Sequence, residues 1–106
     1  MIYEQRTYDV HPQHFGAYLK LFETLGMQVR GGGQYGKLIG FWSTEIGPLN
    51  RVVHIWAYDS VEARALARKA LTQDAVWVQE FLPQALPMIA HMESCLLNPV
   101  AFSPLQ

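Results

Sequence analysis

Apolar residues along the chain change their period several times, and each change marks an element. Over Ile2–Val10 (IYEQRTYDV) a period of two puts Ile2, Glu4, Arg6 and Tyr8 on one strand face and Tyr3, Gln5, Thr7 and Asp9 on the other. The period then lengthens. Pro12 suits a first helical turn, and Phe15, Tyr18, Leu19, Phe22 and Leu25 recur every three or four residues as one helical stripe. Gly26 and Gly31-Gly32-Gly33 bracket its exit. Two strands follow at 37–46 and 51–59, joined by Gly47-Pro48-Leu49-Asn50, where Pro presets φ and Gly and Asn tolerate left-handed backbone. Neither strand alternates cleanly. Leu38, Trp42 and Ile46 share one parity and Ile39 and Phe41 the other, while Val53, Ile55 and Ala57 oppose Val52, His54, Trp56 and Tyr58. Both faces of this hairpin therefore need cover.

Ser60 caps a second helix with Ala63, Leu66, Ala67, Ala70 and Leu71 as its stripe and Arg64, Arg68 and Lys69 on the wetter side. Asp74 caps a short third helix that buries Trp77, Val78, Phe81 and Leu82, and Pro83 is expected to end it. A last strand at 88–97 reads as covered on both sides, and an extended tail at 98–106 is expected to pack through Phe102 and Leu105. The order β-α-β-β-α-β predicts an α+β, ferredoxin-like split βαβ over a single domain, 1–106: a four-stranded antiparallel sheet with both helices on one face. The other face carries Trp, Tyr and Ile. Packing it on the same face of a second copy buries it, two sheets then forming a dimeric α+β barrel around a lumen.

Composition narrows the function. Half of the 106 residues are hydrophobic and 16% are charged, with three Trp, five Tyr and five Phe, which favours self-association. Eight Lys and Arg against nine Asp and Glu, with no basic run, exclude a nucleic-acid binder. The glycine run follows a helix and precedes a strand, the reverse of a phosphate loop. Cys95 stands alone in an apolar strand and reads as a core residue in a chain kept reduced. Neither a signal peptide nor the roughly 18 apolar residues of a membrane span is present, so a cytoplasmic protein is expected.

Three stretches carry a family resemblance: YEQRTYDV near the start, YGKLIGFWSTEIGPLNRVVHIWAYDS in the middle and NPVAFSPL at the close. Over almost its whole length the chain resembles the NIPSNAP family. The resemblance implies the dimeric α+β barrel, shared with cofactor-free monooxygenases, haem-degrading enzymes, chlorite dismutase-like and muconolactone isomerase-like proteins, and implies no particular reaction. Eukaryotic members are linked to mitochondria and vesicle traffic, whereas a chain without a targeting extension is more similar to a stand-alone bacterial type. Gln5 and Gly31-Gly32-Gly33 depart from the usual family pattern.

The polar and aromatic residues that strand parity gathers are Glu4, Arg6 and Tyr8 with His54, Trp56 and Tyr58, expected on the lumen face. Two readings compete. In one, Glu4 and Arg6 form an internal ion pair beside Tyr8 and His54 is a hydrogen-bonded core residue. In the other, His54 exchanges a proton with a ligand lying against Trp42, Trp56 and Tyr58 while Arg6 holds an oxyanion or carboxylate. His91 and Glu93 share a parity on the last strand, and His11 and His14 read as solvated. No local spacing suits a metal site and no cofactor is expected, although the resemblance leaves haem open, one axial His being enough. The expectation is a NIPSNAP-like homodimer of unassigned activity, holding a small apolar or aromatic ligand in its lumen. Its rivals are a cofactor-free monooxygenase or isomerase acting on a small aromatic substrate, and a non-catalytic interaction or scaffold protein.

Overall fold

The computed structural model describes residues 1–106. Four antiparallel strands, β1 (Ile2–Val10), β2 (Lys37–Ser43), β3 (Arg51–Tyr58) and β4 (Ile89–Leu97), form one sheet in the order β2-β3-β1-β4. Between β1 and β2 the chain runs through a 3₁₀ turn (Pro12–His14), α1 (Phe15–Leu21), a π turn (Phe22–Gly26) and α2 (Met27–Arg30). After β3 comes α3 (Val61–Leu71), then a second π turn (Trp77–Phe81), α4 (Leu82–Ala85) and a 3₁₀ turn (Leu86–Met88) before β4. This is the α+β, ferredoxin-like arrangement that the element order predicts, with the helices on one face. A thickness of 19 Å leaves room for those two layers alone. No helix is long and apolar enough to cross a membrane.

The caps form where the sequence places them. Ser60 Oγ accepts from the Ala63 N–H at 3.0 Å, and Asp74 Oδ1 accepts from the Trp77 N–H at 3.0 Å. Backbone φ is +137° at Gly47 and +57° at Asn50, as the hairpin turn requires. The strand ends are shorter than expected: β2 stops at Ser43, and Ile46 and Leu49 stand exposed at the loop tip. Pro83 does not end its helix either. It falls in the first turn of α4, after a π turn that has already broken the i−4 bonding pattern, so its missing N–H costs little.

A bulge explains the broken alternation of β2. Pairing with β3 steps from Leu38↔Trp56 to Gly40↔Ile55, leaving Ile39 as an extra residue. Leu38 and Phe41 thereby share the helix-covered face despite opposite parity, and Trp42, opposite Val53, joins the uncovered one. β4 departs further from expectation. It is an edge strand that the helices cover only at its start, so nearly all of it is exposed, including Met92, Leu96 and Leu97. Cys95, opposite Gln5 on the uncovered face, is exposed for the same reason and is not a core residue. In the tail, Leu105 lines a groove with Tyr3 and Trp42, the Tyr3 hydroxyl donates to the Gln106 carbonyl at 3.0 Å, and Phe102 points away from the domain.

Phe22 sits at the centre of the core. Its ring lies 4.8 Å from Phe41, 5.6 Å from Phe81 and 6.2 Å from Trp56, joining the first π turn to β2, β3 and the second π turn. Gly26 permits this, because a Cβ there would come within 2.9 Å of the Phe22 ring. Gly26→Ala should displace the ring and lower stability by about 1–3 kcal/mol in urea unfolding. An unchanged midpoint would mean that Phe22 has another place to go.

Candidate functional site

Strand parity brings the expected residues together, on the face opposite to the one expected. Arg6 pairs directly with His54 across β1 and β3, and Glu4 pairs with Trp56. Both pairs lie beneath the helices, where Phe22 meets His54 and Trp56 and Arg64 of α3 reaches Glu4. Parity says which residues share a face and leaves open which face the helices take. Here the helix layer supplies its own cation to the buried carboxylate, so charges persist under it. Trp42 is parted from the group by the β2 bulge and lies on the uncovered face.

Glu4 has no exposed surface. One oxygen, Oε2, accepts from Arg6 Nη1 at 2.7 Å, Arg64 Nη2 at 2.7 Å and Ser94 Oγ at 2.6 Å. Burial pushes its carboxyl up, but the hydrogen bonds from Arg64, Ser94 and Arg6 outweigh this and hold it down at about 2. Arg6 also donates through Nε to the Tyr8 hydroxyl at 2.6 Å. Glu4 and Arg6 do form an internal ion pair beside Tyr8, and Arg64 is a third member that the sequence did not reveal.

His54 is held by aromatic rings on three sides. Phe41 stacks on it at 4.5 Å, Tyr8 meets it edge-on at 4.8 Å, and the Trp56 indole N–H donates to its Nδ1 at 2.6 Å. An indole nitrogen can only donate, so Nδ1 is the acceptor and the proton sits on Nε2, which is sealed and has no partner. Burial, with Arg6 and Arg30 adding repulsion, pushes its pKa down to about 3. His54 is therefore a neutral imidazole whose basic nitrogen is already in use and whose N–H is sealed, which does not suit a general base. Of the residues lining the cavity beside it, His54 is the one histidine, and it offers no free nitrogen to a haem iron; the residues present do not fit that group. No three His, Cys, Asp or Glu side chains converge as a metal centre would require.

The cavity lies between the sheet and the helices, with a volume of about 460 Å³. Eleven of its seventeen lining residues are hydrophobic, with Phe22, Leu71, Trp77 and Phe81 among them. Arg6, Tyr8 and His54 reach its wall, whereas Glu4, Trp56 and Tyr58 lie behind it. Sequence reasoning missed Tyr18, Arg30, Arg68 and Lys69, which also line it. In a regular helix Arg30, eight residues after Phe22, would lie roughly 80° off the stripe. The intervening π turn absorbs about one residue of rotation and carries Arg30 inward to 2% exposure. There its guanidinium lies 3.6 Å over the Trp56 ring. His91 and Glu93, 3.7 Å apart, are exposed and belong to the uncovered side.

The depressed pKa values fix how stability depends on pH. The unfolded chain takes up a proton on His54 near the ordinary 6.5 and the folded chain only near 3, so stability is full above that ordinary value and falls as pH drops through the interval. Glu4 adds a further loss between its ordinary 4.5 and about 2. Moving from pH 7 to pH 5 should remove on the order of 2 kcal/mol, and His54→Gln should flatten this part of the profile while leaving the steeper fall below pH 4.5. An equally steep slope from pH 7 to 5 in the variant would assign it to another group.

Comparison with known proteins adds to this geometry. The sequence profile described as NIPSNAP matches residues 3–104. NipSnap homolog 3A from Homo sapiens is 37% identical over 95 residues, covering 89% of this chain and 37% of that protein. The chain thus spans little more than a third of the length of this curated relative. A NIPSNAP family protein from Agrobacterium tumefaciens superposes with a TM-score of 0.93 at 38% identity, covering 99% of this chain and 98% of that one. A second, a nipsnap family protein with unknown function from the same organism, superposes at 0.91 with 40% identity over 100% of this chain and 94% of that one.

Proposed function

The chain belongs to the NIPSNAP family, and from that premise we propose that it binds a small, mostly apolar or aromatic molecule in the cavity between its own sheet and helices. The observation that carries the reading is the cavity itself: about 460 Å³ of open space under Phe22, Leu71, Trp77 and Phe81, at the centre of a domain that would otherwise close it. A scaffold protein has no use for such a space, since filling it with side chains would stabilise the fold. Of the residues named from the sequence for a lumen ligand, Arg6 and Tyr8 serve this site instead as polar groups on an apolar wall, and His54 lends it the side of its ring.

The uncovered sheet face fits the same face of a second copy. Trp42 is half exposed there, and Leu97, Val100 and Leu105 form an apolar groove with Tyr3, Ile39 and Ile55. Apolar surface of this extent is uncommon on a monomer, and a two-fold axis through the face would bury it in both copies. A homodimer with one cavity per subunit follows from this reading.

Native mass spectrometry of protein taken from cells tests the cavity. The expected spectrum contains an adduct of a few hundred daltons that Ala85→Phe, which fills the cavity from α4, removes without unfolding the chain. Adduct-free protein that also fails to take up small aromatic probes would defeat the reading. Light scattering at micromolar concentration should give the mass of a dimer, and a stable monomer would rule out the proposed interface.

A further inference from the structure

The electrostatics of the cavity wall identify the chemical class of its ligand. Arg30 is buried and belongs to none of the four ion pairs of the structure. Its Nη2 donates to the Tyr35 carbonyl at 3.0 Å and to the Tyr58 hydroxyl at 3.3 Å, both uncharged acceptors, and its Nε is sealed without a partner. Nη1 makes no hydrogen bond, and neither does the hydroxyl of Tyr18, a residue only 1% exposed. Both side chains line the cavity, and neither of these two atoms is among those sealed from it. Four cations line the wall, Arg6, Arg30, Arg68 and Lys69, and no carboxylate does. Glu4 stands behind the wall and already serves both Arg6 and Arg64, so that trio keeps a net positive charge.

A buried guanidinium with neutral partners is costly, and an anion entering beside it recovers part of that cost. We propose that the cavity takes an organic carboxylate, its acid group accepting hydrogen bonds from Arg30 Nη1 and Tyr18 Oη while its aromatic or aliphatic body lies against Phe22, Trp77 and Phe81. A single carboxylate matches the one fully buried guanidinium, and Arg68 and Lys69 on α3 add an attractive field toward the same cavity. Burial pulls the Arg30 pKa down only to about 10, so the cation persists at neutral pH.

The inference rests on the apolar cavity being a binding site, and an acid and amide pair of one shape separates the two ideas. In calorimetric titrations at pH 7, 2-naphthoate is expected to bind the unmodified protein at least about tenfold more tightly than 2-naphthamide. Tyr18→Phe, which keeps the ring and removes the donor, should weaken naphthoate by about tenfold and naphthamide, whose neutral carbonyl accepts more weakly, by clearly less. Arg30→Met should weaken naphthoate by about a hundredfold and the amide by much less. Should Arg30→Met not fold, the acid and amide comparison and Tyr18→Phe decide without it. Equal binding of acid and amide overturns the carboxylate inference and leaves the apolar site standing, whereas absence of binding by either probe overturns both. Tighter binding of 2-naphthyl phosphate than of naphthoate would also overturn it, assigning the site to a phosphate.

Discussion

One oxygen atom, Oε2 of Glu4, joins three parts of the fold. It accepts from Arg6 on the same strand, from Ser94 on β4 and from Arg64 on α3, and it does so with no exposure to water. Removing one partner from a buried charge of this kind costs about 3–5 kcal/mol, a large share of what a domain of this size has in total. For the edge strand it adds a side-chain tie to the backbone ladder with β1, since most of β4 is exposed and only its start packs under the helices. The same atom orients Arg6, whose remaining donor Nε then fixes the Tyr8 hydroxyl at the cavity wall. A charge placed for structural reasons thus sets the position of groups that a ligand would meet.

A second chain of contacts starts at Trp56. Its ring carries the Arg30 guanidinium on one face, and its indole N–H holds His54 in the neutral tautomer. These two effects reinforce each other, since a neighbouring cation disfavours protonation of the imidazole and a neutral imidazole avoids repelling the cation. The result is a wall rich in donors and poor in bases. Such a wall can hold negative charge, and it has little capacity to remove a proton from a ligand. This weighs against the reading in which His54 takes a proton from a ligand and favours the one in which it is a hydrogen-bonded core residue.

Much of this was legible before the structure. The two strand faces, the element order, both helix caps and the pairing of Glu4 with Arg6 all follow from local rules of period, capping and parity. Three of the departures share a physical origin, a residue inserted into a regular repeat. The bulge at Ile39 sends Trp42 to the other face, the first π turn turns Arg30 inward, and the second makes Pro83 compatible with continued helix. A period of two or of 3.6 cannot reveal an insertion, because apolar residues on both sides still fit their own repeats. The side of the sheet that receives the helices was likewise hidden. Both faces carry aromatic residues, and the charges that seemed to need a lumen find their partner in Arg64, sixty residues from Glu4 in sequence.

The position of Arg30 shows what the insertion does to the cavity wall. A regular helix through Phe22 and Gly26 would carry its apolar stripe onward and leave Arg30 at the edge, hydrated and irrelevant to the core. The π turn instead exchanges that hydration for contact with Trp56 and two neutral acceptors, an arrangement that is poorer for the free protein. Replacing the guanidinium by an apolar side chain of similar volume would cost the fold little and could stabilise it. A cation kept in such a place, on the wall of a cavity that also stays unfilled, combines two losses of stability at one site. Each would be relieved by the same event, the entry of a molecule with an apolar body and an anionic group, and closing the cavity would leave the unpaired cation in place.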